Sequence, residues 1–304
     1  MREPSAEKYH GKTFANLAST YFNAVRPAFL SASVLPVVTA LAYVQGSFGS
    51  LDYQLAALVL AGIVFIHCAA NVLNDYFDAN NGSDASNRNR IYPFTGGSRF
   101  IQNKVLSERQ ILVFGVALFS LGCLVGLLIV YMTGPFVIWT GLIGGILAIA
   151  YSVPGGLASR GFGDLVIAIC FGLLPVIGTV YTQLASVTTD SILIGLVISC
   201  FVVAILWINS IPDREADKKA GKNTLPSRLS EKLALRIHAV WFVLGFGLIL
   251  LTPLLDRGYP ALLAVIPATV VAISVFKQKL MPAIPFTLVT HAMVCVLLSV
   301  GFLM

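Results

Sequence analysis

The stretch "NVLNDYFDANNGSD", residues Asn71 to Asp84, follows a long run of mostly apolar residues and places carboxylates and carboxamides where a hydrophobic helix should be ending. On a helix of about 3.6 residues per turn, Asn71, Asn74 or Asp75, and Asp78 fall at i, i+3 or i+4, and i+7, so one face presents them together. The geometry recurs in "NSIPDREAD", where Asn209, Asp213 and Asp217 fall at i, i+4 and i+8. Each helix thus offers an amide one turn deeper and a carboxylate pair nearer its end. Helix C-termini already carry partial negative charge, so acids collected there call for a counter-cation.

The rest of the chain is apolar enough to make those acids unusual. Of its 304 residues, 57% are hydrophobic and 11% charged, which excludes an ordinary soluble domain and points to an all-α polytopic membrane protein. Crossing a hydrocarbon core takes roughly 17 to 25 residues per helix. Nine transmembrane helices are predicted, near 23-45, 54-77, 110-132, 135-152, 164-185, 190-211, 233-254, 259-276 and 284-303. Pro27, Pro36, Pro267 and Pro285 interrupt or flank the first and the last two, which membrane helices tolerate when neighbours satisfy the freed carbonyls. Residues 1 to 20 are polar and mixed, so no cleaved leader is expected and the first span serves as anchor. Cys68, Cys123, Cys170, Cys200 and Cys295 all fall in predicted spans, never in a CxxC spacing, and read as packing residues rather than disulfides or metal ligands.

Nearly all Lys and Arg lie in the N-terminal segment and in the loops after spans 2, 4, 6 and 8; the alternate loops carry essentially only Arg257. The positive-inside rule then puts the N-terminus and the acid-bearing loops in the cytoplasm of a bacterial or archaeal plasma membrane. The partner indicated is the lipid bilayer, with no nucleic acid and no protein partner. Two cytoplasmic connections are long, Ala79 to Gln110 and Asp213 to Lys232, and both open on acids and continue with Gly, Asn and basic residues. This parallel echo suggests a single domain of two helical halves, about 23-152 and 164-276, with a final helix at 284-303.

Carboxylates arranged for a polyanionic ligand suit Mg2+, which normally takes one or two carboxylates plus substrate phosphates and water. Two such pairs facing each other across a bundle would hold Mg2+ on a diphosphate. Arg88, Arg90, Arg99, Lys104, Lys218, Lys219, Lys222 and Arg228, from the same loops, would complete the clamp on the phosphate oxygens. Ordinary solvated helix ends would explain either acid pair alone, but not two on the same side, each behind an Asn and ahead of a basic loop. An ion-coupled transporter is the alternative of another class, although transporter sites sit near the midplane on inverted repeats.

The two acidic stretches resemble the Asp-rich motifs of the UbiA superfamily of intramembrane prenyltransferases. The likeness extends to "RP" at Arg26 and Pro27, "GSD" at Gly82 to Asp84, "YSVP" at Tyr151 to Pro154, "GFGDLV" at Gly161 to Val166, "FGLLPVIGTVYTQ" at Phe171 to Gln183 and "AGKNTLPSRLS" at Ala220 to Ser230. The last three look most like the 1,4-dihydroxy-2-naphthoate polyprenyltransferase branch, which supplies menaquinone. The resemblance implies nine helices around a central cavity, and Mg2+-dependent transfer of a polyprenyl group from an allylic polyprenyl diphosphate to an aromatic acceptor. It implies Asp75, Asp78, Asp213 and Asp217 as metal ligands, Asn71, Asn74 and Asn209 lining the motifs, and Arg26, Tyr151 and Lys222 around the diphosphate or acceptor. Pro212 before Asp213, "YSVPGG" without a second proline, and Ser230 depart from the family pattern and leave the acceptor open, with 4-hydroxybenzoate, chlorophyllide or a glycerol phosphate lipid as alternatives.

An allylic diphosphate ionises when charge on its leaving group is neutralised, and the resulting cation must be kept from water. An apolar bundle supplies that dryness, aromatic walls can face a carbocation, and a cavity open sideways to the bilayer would admit a lipid tail. Asp164, behind "RGFG", can position the acceptor, assist its deprotonation or cap its helix. His67 and His291 read as packed, hydrogen-bonded histidines. "TGGSR" at Thr95 to Arg99 lacks the full phosphate-loop spacing and reads as a mobile turn over the cavity mouth.

Overall fold

The computed structural model describes residues 3–5, 9, 13–153 and 155–304. Pro154 of the "YSVP" motif and the basic residues Arg2, Lys8 and Lys12 lie outside the described residues. All regular secondary structure among the described residues is helical. The principal helices are α1 (Phe14–Ala24), α2 (Ser31–Phe48), α3 (Tyr53–Asn80), α4 (Glu108–Thr133), α5 (Phe136–Ser152), α6 (Gly163–Leu184), α7 (Thr189–Lys219), α8 (Glu231–Leu251), α9 (Val265–Phe276) and α10 (Leu280–Leu303). Eight stretches are long and apolar enough to cross a membrane; they include α2 lengthened to begin at Pro27 and α9 lengthened to begin at Asp256. The shorter apolar α5 is the ninth of the predicted spans.

The first span starts later than the hydrophobic pattern suggests. Arg26 takes a left-handed backbone (φ 56°, ψ 62°), and Pro27 opens a short 3-10 turn, so the chain breaks between α1 and α2. Pro27 lacks an N–H to continue a helix from α1 and restricts the residue before it, which makes this the natural breakpoint. Elsewhere the ends follow capping chemistry. Asp52 Oδ1 accepts from Leu55 N (3.0 Å) at the start of α3, and reciprocal boxes formed by Ser107 with Gln110 and by Thr188 with Ser191 open α4 and α7.

Helix α7 is the axis of the bundle: 72% of its apolar stretch is buried, against 17% for α4, which faces outward. Its Val197, Ile198, Phe201 and Ile208 lie in the main core with Val176 and Val180 of α6 and Ile284, Val294 and Leu298 of α10. Small residues bring α6 against α7. A Cβ on Gly172 would meet the Ser199 backbone (Cα at 2.6 Å), while Ser199 Oγ donates to the Ala168 carbonyl (2.7 Å). Residues Ala168–Leu173 widen into a π turn just ahead of Pro175, whose missing N–H interrupts the ordinary ladder. All five cysteines are free; Cys68 and Cys295 are buried and Cys123 is exposed.

Candidate active site at the acid-bearing end of the bundle

Helices α3 and α7 both end at the same side of the bundle, and loops fold back over their acids. Asn71 Nδ2 donates to the Val25 carbonyl (2.9 Å), tying α3 to the break that precedes α2. One turn on, Asn74 Nδ2 donates to Asp78 Oδ2 (3.0 Å), while Asp78 Oδ1 accepts from Asn81 Nδ2 (3.2 Å) and from Lys222 Nζ. Asp75, only 3% exposed, accepts from the Ser98 N–H at both oxygens (3.2 Å each). On α7, Asp213 accepts from Asn87 Nδ2 (2.6 Å) and from the Gly96 N–H (3.3 Å).

The "TGGSR" turn, expected as a mobile turn over the cavity mouth, instead lies packed against the acids, with the backbone N–H groups of Gly96 and Ser98 aimed at one carboxylate from each helix. Gly96 (φ 74°) and Gly97 (φ 73°) permit that inward turn, because left-handed backbone costs glycine nothing. A Cβ on Gly97 would lie 3.0 Å from Asp84 Cγ and 3.1 Å from Asp75 Oδ1.

A cavity of about 160 Å3 opens between the two motifs, lined by Asn74, Asp78 and Asn81 on one side and by Ser210, Asp217 and Lys222 on the other, with Tyr151 on its wall. Asp217 lies within electrostatic reach of Lys222, Asp213 and Asp78, and Tyr151 of Asp78, Asp164 and Asp217. Asn209 sits deeper on α7 with its Oδ1 buried and unpartnered, an acceptor with spare capacity. Burial works against the Lys222 charge, but Asp78 and Asp217 outweigh it and hold the ammonium above its usual range.

Arg26 joins the site from the break before α2. Its Nη2 donates to the Phe94 carbonyl (2.9 Å), its guanidinium lies 4.6 Å from the Phe29 ring centroid, and its buried Nε has no partner. The charge acts on Asp75, Asp84 and Asp213 together. Most of the other expected clamp residues are elsewhere. Arg90 pairs with Glu3 (2.7 Å), buried Arg99 donates to the Asp84 carbonyl (2.5 Å), and Arg228 braces the Asn223 and Arg160 carbonyls (2.9 and 2.7 Å). Arg88, Lys104, Lys218 and Lys219 are exposed. Among the eight residues expected to clamp phosphate, Lys222 alone touches a motif carboxylate, while Arg90, Arg99 and Arg228 are engaged by Glu3 and loop carbonyls.

Asp164 is buried in the first turn of α6, whose cap position is Phe162, so it does not cap its helix. His67 is packed as expected, with Nδ1 2.5 Å from Ser33 Oγ and its ring edge-on to Phe171; His291 lies against Cys295 Sγ (3.7 Å) in the core.

The site also contains two residues that helical spacing does not find. Asp84 is 4% exposed, accepts from Gln102 Nε2 (3.2 Å), and is pushed up to about 8 by burial, with Asp75 and Asp78 adding to the effect. Asn87 is buried and reaches Asp213. Both follow the end of α3 at Asn80, where Gly82 (φ 78°) turns the chain back, so they are out of register with Asn71, Asp75 and Asp78. The signal for Asp84 was the "GSD" of Gly82 to Asp84, an acid two residues after a glycine; Asn87 had none.

Every donor gathered here is a carboxylate, carboxamide or hydroxyl oxygen, the set a hard divalent cation takes, with Lys222 and Arg26 beside it for an anion. Among the described residues no three His, Cys, Asp or Glu side chains surround one point.

Comparison with known proteins agrees. The UbiA prenyltransferase family matches residues 33–282. The 1,4-dihydroxy-2-naphthoate octaprenyltransferase of Bacillus subtilis (strain 168) is 31% identical over 294 residues, covering 91% of this chain and 90% of that protein. The enzyme of the same description from Escherichia coli (strain K12) is 34% identical over 231 residues, 72% of this chain and 71% of that one. Among solved structures, a UbiA homologue from Archaeoglobus fulgidus bound to GPP and Mg2+ superposes with a TM-score of 0.62 at 16% identity, over 93% of this chain and 97% of that one.

Proposed function

The chain belongs to the UbiA prenyltransferase family, and on that premise we propose that it transfers a polyprenyl group from an allylic polyprenyl diphosphate to 1,4-dihydroxy-2-naphthoate, a step of the menaquinone pathway. It is an integral membrane prenyltransferase; family membership leaves no place for the ion-coupled transporter that the acids alone would allow. The observation that carries the reading is the convergence of Asp78 and Asp217, from different helices, on one cavity that also holds Lys222. The choice of acceptor rests on the match to the Bacillus subtilis enzyme.

In this reading Asp75, Asp78, Asp213 and Asp217 hold Mg2+, with Asp84 adjoining them. Mg2+ supplies Lewis-acid neutralisation of the charge that builds on the departing diphosphate. Lys222 and Arg26 pair with phosphate oxygens, and the spare acceptor of Asn209 and the amide of Asn74 orient what binds between the helices. Tyr151, on the cavity wall, would offer its ring to developing positive charge. The apolar bundle below excludes water until the ring carbon attacks, and the acceptor's carboxyl group is lost in the overall reaction. Arg88, exposed on the loop, meets the donor only on approach. Asp164, near Tyr151, serves the acceptor.

In the same reading the enzyme sits in a bacterial or archaeal plasma membrane with this end on the cytoplasmic side, an orientation that the basic loops support. The test is to incubate purified protein with labelled prenyl diphosphate and, separately, 1,4-dihydroxy-2-naphthoate, 4-hydroxybenzoate, chlorophyllide and a glycerol phosphate lipid, each with Mg2+ or with chelator. Prenylation of the naphthoate alone, lost on chelation, is expected. Turnover of another acceptor in its place would overturn the assignment, and full turnover in chelator would overturn the metal.

A further inference from the structure

A second concavity lies away from the acids, at the outer edge of the same end of the bundle. Helix α1 packs beside the start of α4 through Tyr21 and Phe114, whose rings meet edge to face at 4.7 Å. Between them a groove of about 400 Å3 is lined by the apolar Tyr21, Val113, Phe114 and Ala117 and by the polar Ser107, Arg109 and Gln110. Arg109 is the one cation among these lining residues. Arg109 is exposed, makes no ion pair among the described residues, and precedes the apolar run of α4 by a single residue.

Two features say what medium surrounds the groove. The outward face of α4 continues from it with Val113, Val116, Leu124 and Leu127, exposed by 60%, 49%, 61% and 62%, so hydrocarbon begins where the groove does. On α1, Phe14, Leu17, Ala18 and Tyr21 fall at i, i+3, i+4 and i+7, yet Phe14 and Leu17 are 87% and 51% exposed. A short helix with an uncovered apolar stripe, at the rim of a membrane bundle, lies in the interface with that stripe toward the acyl region. Tyr21 ends the stripe inside the groove, so the apolar surface is continuous from α1 to α4.

A mainly apolar trough with an exposed guanidinium at its interfacial rim, without an ion pair among the described residues, matches a molecule with a chain and a phosphate. We propose that this groove binds an anionic bilayer phospholipid, its phosphate on Arg109 and its acyl chain along Val113 and Phe114. Such a lipid covers Tyr21 and Phe114 and pins α1 to the bundle. Charge complementarity favours an anionic over a zwitterionic headgroup. A protein occupant would have to displace the lipid already present along α4.

The test uses the full-length protein reconstituted in equimolar phosphatidylglycerol and phosphatidylcholine, then stripped progressively with detergent while retained lipid is counted by native mass spectrometry. The wild type is expected to keep one phosphatidylglycerol after phosphatidylcholine is gone. Arg109→Gln is expected to lower that retention about fivefold, the value of one basic residue at an anionic surface. Ala117→Trp, which fills the groove and leaves Arg109 in place, should lower it as well. Equal retention of the two lipids, wild-type retention in Arg109→Gln, or capture of a prenyl diphosphate or a second copy of the chain at this site would overturn the proposal. Should Arg109→Gln fail to fold, wild-type retention by Ala117→Trp would overturn it alone.

Discussion

Lys222 Nζ donates to Asp78 Oδ1, joining the loop beyond α7 to the end of α3. With burial opposing the charge and Asp78 and Asp217 restoring it, the folded-state pKa of Lys222 lies above its ordinary value. The pair's contribution is therefore complete at neutral pH and is lost only as strongly alkaline pH passes that raised value. Replacing Lys222 with Ala should raise KM for the prenyl diphosphate or lower kcat/KM by about 10- to 100-fold, the range for a lost hydrogen bond to a charged group. Lys222→Arg should recover part of it. Steady-state kinetics with both variants decide, and wild-type kcat/KM in Lys222→Ala would remove the residue from the site.

Asp75 and Asp213 are held by backbone N–H groups from the same turn, Ser98 and Gly96. Asn in place of either can still accept those bonds, so Asp75→Asn and Asp213→Asn should fold while losing at least about 10²-fold in diphosphate release, since one missing electrostatic partner of a charged transition state costs that much. Single-turnover release at saturating Mg2+, alongside helical circular dichroism, is the measurement.

Position 97 has neither a backbone conformation that suits a side chain nor the room for one. At φ 73° an alanine costs about 1–2 kcal/mol in backbone energy, and its Cβ would press on Asp84 and Asp75. Gly97→Ala should keep the bundle and lose most of the activity, whereas Gly49→Ala, also at positive φ (68°) but in open space and away from the cavity, should cost stability alone. Thermal unfolding and turnover on both variants separate the two effects.

Glu3 fastens the N-terminal segment to the covering loop through Arg90, and Asn103 Nδ2 reaches both Glu3 Oε2 (3.3 Å) and the Pro4 carbonyl (2.7 Å). The Arg90 hydrogen bond holds the Glu3 carboxyl below its usual range. A depressed carboxylate stabilises above its unfolded value and loses that contribution as pH falls through the folded one, so the fastening should loosen only in acid. It is partly exposed and worth no more than about 1 kcal/mol. Glu3→Gln should speed hydrogen exchange over residues 90–103 at pH 7 and abolish the further increase that wild type shows on acidification.

The fold was largely legible because its cause is local. Runs of apolar residues long enough to span a bilayer need no partner to declare themselves, and both acid pairs follow from helical spacing alone. What escaped depends on chain reversal. Asp84 and Asn87 return to the site only because Gly82 reverses the chain, and no periodicity survives such a turn. The partners of the arginines were hidden for a related reason: sequence gives their charge but not the carbonyls of Asn87, Asp84 and Asn223 that engage Arg90, Arg99 and Arg228. The break at Arg26 was partly visible in the proline that follows it, but hydrophobicity carried the first span through the break to residue 23.

That break has a cost in one particular currency. The left-handed backbone at Arg26 is comfortable only for a residue with no Cβ, yet the guanidinium there holds Phe94 and influences three buried acids. No single amino acid offers both. Hardening this joint with glycine would silence a charge, and keeping the charge leaves a sprung hinge, so efforts toward robustness and toward speed would pull position 26 in opposite directions.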